Sequence, residues 1–266
     1  MDIKQKNIII FKEAREFIEN YTVTVGLNKE RLKDYLEDKR NFNSINDVAE
    51  SLFISLQNRN MVSSVIGFNN KYKEMREILF DFDPKKIIES YSDYEQLLLE
   101  FNKKFKIKDY TSPRSLWRQF AKGIISASNF LIIFNDKDDF DKFIKTFSLN
   151  KYTKAALPMI LSKEIEGLGF ALACDFLKEL GYREYPKPDV HLIEIFYELG
   201  LSATKNDYDV YKKIIEMCDY VTEDAYTVDK IFWLIGSRNY YKDNIQRKSI
   251  NNRSEFIAIV KKKLSD

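Results

Sequence analysis

Residues Lys163–Gly181 read KEIEGLGFALACDFLKELG. The segment scans as a helix end, a tight turn with Gly167 and Gly169 two positions apart, and a second helix. Ala171, Leu172, Cys174, Phe176, Leu177 and Leu180 give that second helix its apolar positions. Glycine takes positive φ at no steric cost and lets another group approach the main chain closely. The amides of such a turn, and of the helical turn after it, lack internal partners and point outward, which suits a phosphate. Helix pairs joined by a Gly-containing turn are common, so a purely structural turn is the plainer alternative for these residues alone.

The chain continues YREYPKPDVHLIEIFYELGL. Asp189 follows Pro188 and opens an apolar-striped helix, and the sole histidine, His191, lies in its first turn. A carboxylate at a helix N-terminus is favoured in its charged form by the helix dipole, so Asp189 is expected to stay ionised. Simple N-capping explains the same residue, as capping or surface exposure explains His191. Upstream, Phe53–Ile66 (FISLQNRNMVSSVI) sets a polar turn, Gln57–Asn60, between two apolar stretches.

In chain order these three elements resemble the helix–hairpin–helix DNA glycosylase superfamily, nearest its 8-oxoguanine branch. Ile165–Gly169 match the hairpin and Pro188–His191 the aspartate element. Asn58, with Gln57, Arg59 and Asn60, matches the Asn-rich turn that fills the gap left by a flipped base. The resemblance covers roughly residues 53–200 and implies an all-α, two-lobed fold whose cleft holds the flipped nucleotide. It further implies DNA contact through Gly167, Leu168, Gly169 and His191, with a Na+ or K+ on the Ile165 and Gly167 backbone and no other cofactor. Asp189 would be the catalytic carboxylate. Hydrolysis of an N-glycosidic bond develops oxocarbenium character on the sugar, which a nearby carboxylate stabilises.

Two departures from the family pattern qualify these implications. Glycosylase/lyases of the superfamily carry a lysine in the helix after the hairpin; here that position is Ala171, preceded by Phe170. The resemblance therefore implies a monofunctional enzyme that uses water and leaves an abasic site. Lys122, Lys163 and Lys187 are the amines from which a displaced lyase group would come. The hairpin reads IEGLG, with Glu166 where proline is usual, and its carboxylate would repel a phosphate unless turned aside. A non-catalytic protein binding damaged or modified DNA is the alternative reading, and a helical interaction scaffold is a third.

The remaining sequence is compatible with this reading. Charge is nearly balanced over the 266 residues, 43 Lys+Arg against 41 Asp+Glu, yet residues 101–122 carry seven Lys/Arg and one acid. Residues 230–266 carry nine Lys/Arg against Asp243, Glu255 and Asp266. Such segments suit a nucleic-acid backbone, although the preponderance of lysine also fits an AT-rich genome. Arg114, Trp117 and Arg118 in the first segment are candidates for DNA contact, Trp117 also for the base pocket. In YTVDKIFWLIGSRNYY (Tyr226–Tyr241), Gly236 can end a core helix, after which Arg238, Tyr240 and Tyr241 project and could clamp a flipped base; core packing is the commoner role of aromatics at such spacing.

Eight Gly, five Pro and apolar spacings of three and four predict a mainly helical chain of ten to thirteen helices. Pro84, Pro113 and Pro158 are expected in first turns. Residues 1–50 read as an extension packed on a glycosylase domain of residues 51–266. Tyr21–Val25 (YTVTV) alternates like a strand and suggests a small N-terminal β element. Two cysteines, Cys174 and Cys218, exclude a cysteine-held cluster. Asp136–Asp141 lack the Gly and terminal Glu of an EF-hand loop. The apolar runs are too short to span a bilayer, and the start lacks a cleavage site. The expectation is a cytoplasmic, soluble monomer acting on DNA.

Overall fold

Short polar side chains start most of the helices. Asp2, Asn28, Ser44, Asp93, Asn150 and Asp224 each accept a hydrogen bond from a backbone amide two or three residues ahead, which satisfies donors that a helix leaves open at its first turn. Apolar stripes after these caps then bury one face of each helix. In the computed structural model, which describes residues 1–37, 42–59, 63–246 and 252–265, the result is an all-α architecture of fifteen α-helices among the described residues. The chain divides into two compact units, one formed by residues 1–39 and 181–266, the other by residues 40–180.

Residues 1–39 contribute α1 (Ile3–Thr24) and α2 (Lys29–Leu36). The contiguous unit holds α3 (Ile45–Gln57), α4 (Ser63–Ile66), α5 (Tyr72–Ile78), α6 (Pro84–Ser90), α7 (Tyr94–Phe105), α8 (Leu116–Leu131), α9 (Lys137–Lys145), α10 (Lys151–Glu164) and α11 (Phe170–Glu179). Residues 181–266 return to the first unit with α12 (Val190–Glu198), α13 (Asp207–Val221), α14 (Ala225–Ser237) and α15 (Asn252–Ser265).

In the contiguous unit α8 is the central post, packed against α3, α6 and α7. Val48, Leu52, Phe53 and Leu56 of α3 are buried as their spacing predicts. Phe101, Trp117 and Phe120 form an aromatic cluster, with ring centroids 5.3 and 5.9 Å from Phe101. In the discontinuous unit α1 packs on α13 and α14, placing Ile10, Ala14 and Ile18 in the core.

The fold corrects several expectations. Tyr21–Thr24 are the last turn of α1, because the buried stripe Ile10, Ala14, Ile18, Tyr21, Thr22 keeps helical spacing through them. Thr22 also donates its hydroxyl to the Ile18 carbonyl one turn back, at 2.7 Å. The β structure among the described residues lies elsewhere, as the two-residue antiparallel pair Asn239–Tyr240 with Ile245–Gln246. The compact units are bounded at 39/40 and 180/181, and α3 is a core helix of the contiguous unit. Pro84 is the first residue of α6, but Pro158 sits inside α10. Its ring is buried there, and it cannot donate a backbone hydrogen bond. Short helices such as α2, α4 and α6 raise the number above thirteen.

Phe53 is fully buried whereas Leu149 is 80% exposed. Phe53→Ala should cost about 3–5 kcal/mol of unfolding free energy, and Leu149→Ala about 0.5 kcal/mol or less. Urea denaturation of the two variants checks the assigned core.

Candidate functional site

The hairpin turn is built as its glycines require. Ile165 ends α10, and the Leu168 amide donates to the Ile165 carbonyl at 3.2 Å across a four-residue turn. Gly167, at the third position, has φ +89°, the left-handed value such a turn demands. Gly169 is the N-cap of α11 and supplies no side-chain cap to its first-turn amides. A methyl group at Gly169 would meet nothing within 4 Å, so the backbone there is open to approach. The Leu168 side chain is buried, which leaves only its main chain to the turn.

Helix α8 supports this turn from below. The Glu166 amide donates to Ser126 Oγ at 2.8 Å, and the Glu166 carboxylate turns to Lys122, 3.4 Å from its ammonium. The charge that would repel a phosphate is thus offset by a cation. Lys122 also lies over the Tyr94 ring, 4.9 Å from its centroid. Gly123 permits the approach, since a methyl there would stand 2.9 Å from the Glu166 carbonyl oxygen.

The polar turn after α3 gives its residues three different positions. Gln57 is buried and accepts the Phe68 amide at 3.1 Å, so it is a structural residue rather than a surface reader. Asn58 caps the C-terminus of α3 and lines a groove of about 510 Å³ that also contains Asp47, Glu50, Asp175 and Glu179. Arg59 reaches the hairpin, with Nη1 3.0 Å from where a methyl on Gly167 would lie. Asn60 falls outside the described residues. The structure therefore brings the end of the α3 turn and the hairpin together within one unit.

Asp189 heads α12 in the other unit. Its Oδ1 accepts the His191 and Leu192 amides at 2.9 and 3.2 Å. Its own amide donates to the Lys187 carbonyl at 2.9 Å, closing a three-residue turn around Pro188. Burial, joined by the charge of Asp229, pushes the Asp189 carboxyl above its ordinary range. The His191 charge and the two amide bonds pull the other way without prevailing. Burial and Asp229 thus oppose the anion that the helix terminus favours. His191 is itself lowered, chiefly by burial, with Arg253 and Arg238 adding to the effect and Asp189 opposing it. Its Nδ1 is buried without a hydrogen-bond partner among the described residues.

Sequence reasoning passed over Asp229 and misjudged Gly236. Asp229 is 1% exposed on α14, and its Oδ2 accepts the Lys187 amide at 2.8 Å. A carboxylate amid the apolar residues of that helix was the available signal. Gly236 remains helical, and Arg238 in the left-handed conformation caps α14 instead. The absence of a side chain at 236 makes room for His191, whose Cβ would stand 2.5 Å from a methyl there.

The weaker base-pocket candidates separate. Tyr240 is fully buried, its hydroxyl 2.7 Å from that of Thr22. Trp117 is buried in the aromatic cluster of the contiguous unit. Neither is available as an exposed stacking surface. Tyr241 is partly exposed, edge-on to Tyr35 and Trp233. In the basic segment Lys103 pairs with Glu100 one turn back, Lys104 with Glu77 and Arg118 with Glu95, while Arg114 is exposed. Ala171 stands in the first turn of α11, and no amine occupies that position.

No protein-family model matches the chain, and no curated protein matches it either. Among solved structures, the 8-oxoguanine DNA glycosylase of Methanocaldococcus jannaschii is similar, with a TM-score of 0.52 over 90% of this chain and 99% of that one. Identity is 15%, so the likeness is one of fold. No helix among the described residues is long and apolar enough to cross a membrane.

Gly236→Ala should destabilise the protein by about 1–3 kcal/mol through overpacking against His191, although alanine is the better helix former by about 1 kcal/mol. Thermal melting of that variant beside Gly169→Ala, where space is open, separates the clash from a general effect of removing glycine.

Proposed function

We propose that the protein is a DNA glycosylase that hydrolyses the N-glycosidic bond of a damaged or modified base. The observation that carries this reading is Asp189, a partly buried carboxylate fixed by two amides at the head of α12. It stands in a chain whose fold resembles that of an 8-oxoguanine DNA glycosylase. In this reading the hairpin and Arg59 meet the DNA backbone and Asn58 fills the gap left by the base. Asp189 acts on the sugar, with His191 two residues on and Arg238 and Tyr241 after α14 in the same unit as Asp189.

In the proposed reaction the electron pair of the C1′–N bond leaves with the base, which takes up a proton. The Asp189 carboxylate stabilises the positive charge that develops on the sugar. Water adds to C1′ and gives up a proton, leaving an abasic site. Ala171 offers no amine for covalent attack, so the product is not cleaved by a Schiff-base route at that position. Arg59 places a permanent positive charge beside Gly167, and the Ile165 carbonyl already accepts the Leu168 amide. A Na+ or K+ on the Ile165 and Gly167 backbone would share this turn with the Arg59 cation. Flipping costs a few kcal/mol, which favours bases that are already weakly stacked or mispaired.

Asp189→Asn should reduce base release at least about a hundredfold while keeping salt-dependent DNA binding. Mass spectrometry of free bases from a panel of damaged and modified DNAs tests this and identifies the base. Release that is equal in the variant would refute the mechanism; binding without release by the wild type would favour a non-catalytic DNA-binding protein.

The same substitution separates catalysis from capping. Asparagine still accepts the first-turn amides, and it removes a charge that the folded state disfavours. Because the folded carboxyl is raised, stability falls as pH rises from the unfolded value through the folded one, and the cost is full above both. Asp189→Asn should therefore melt at or above the wild-type temperature at neutral pH, with the difference fading in acid. Asp189→Ala should lose about 1 kcal/mol with the cap.

A further inference from the structure

We propose that Asp229 is a positioning residue for Asp189: by holding the Lys187 amide it fixes the turn from which the Asp189 carboxylate meets the sugar. The inference rests on the glycosylase reading above and extends it to a side chain that is shielded from solvent. Three linked contacts carry it. Asp229 Oδ2 accepts the Lys187 amide at 2.8 Å, the Lys187 carbonyl accepts the Asp189 amide at 2.9 Å, and Asp189 Oδ1 takes two amides of α12. Pro188, buried within the turn, has a fixed φ and removes one degree of freedom from it. Asp229 thus ties α14 to the one segment whose conformation sets where Asp189 lies.

An asparagine oxygen would accept the same bond without burying a charge. The charge of Asp229 acts in addition on the Asp189 carboxyl. The groups acting on Asp189 and His191 come from several elements: His191 on α12 itself, Asp229 on α14, Arg238 at the end of α14, and Arg253 on α15. Lys187 lies in the turn between Asp229 and Asp189. Asp229 is the anion in this set, and it opposes ionisation of Asp189.

Two variants divide the roles. Asp229→Asn keeps an acceptor for the Lys187 amide and removes the charge, so base release at neutral pH should persist while the acid limb of its pH profile moves to lower pH. Asp229→Ala removes the anchor, and a displacement of Asp189 by about 1 Å should lower kcat about a hundredfold with little change in DNA affinity. Carbon NMR titration of the Asp189 carboxyl reads the same coupling without any activity: its midpoint should fall in Asp229→Asn. A midpoint and pH profile that do not move, or an Asp229→Ala variant that is folded and fully active, would overturn the proposal. If Asp229→Ala does not fold, the Asp229→Asn titration decides it. Should the wild type release no base at all, the glycosylase reading fails while the titration still reports whether Asp229 governs Asp189.

Discussion

Helix α12 lies against α14 as closely as it does because position 236 has no side chain. The His191 Cβ occupies the place where one would be. Contact at that point sets the separation of the two helices, and the separation decides what can face the start of α12. It brings the buried carboxylate of α14 to the Lys187 amide and so fixes the turn that ends in Asp189. A wider spacing would leave Asp229 buried with nothing at Lys187 to hold, and the helix start would lose its reference. The position of Asp189 is thus governed by packing two residues further along the chain, in the first turn of the same helix.

The electrostatics at this point are a contest whose outcome depends on depth. At an exposed helix start, two amide donors and the dipole would dominate, and the carboxyl would ionise readily. Here burial removes water from Asp189 while a second anion stands nearby, and these effects outweigh the donors. The hairpin follows the opposite principle. Its awkward charge, Glu166, is turned to Lys122 and its strained residue is glycine, so the turn carries little tension.

Much of this was legible in the sequence where the information is local. Positive φ at Gly167 and the capping role of Asp189 follow from residue type and immediate neighbours, as does the buried face of α3. Properties set by distant partners were not legible. Tyr240 looked like a projecting aromatic until Thr22 and Tyr21, more than two hundred positions earlier, closed around it. Gln57 looked like a DNA-facing amide, yet the Phe68 amide needed its oxygen. The cationic run at 101–122 meets Glu77 of α5 and Glu166 of the hairpin turn. The alternation at Tyr21–Val25 misled because a five-residue window hides the longer period that begins at Ile10.

The interrupted chain path of the first unit also has a consequence for synthesis. Helix α1 packs on α13, α14 and α15, all of which lie beyond residue 206. At about 5–20 residues per second, roughly ten to forty seconds pass between the emergence of α1 and that of its partners. During that interval α1 has only α2 of its native neighbours beside it, whereas residues 40–180 can complete their own core as a contiguous block. The nascent chain therefore carries a partly covered apolar helix pair ahead of a middle that can already fold.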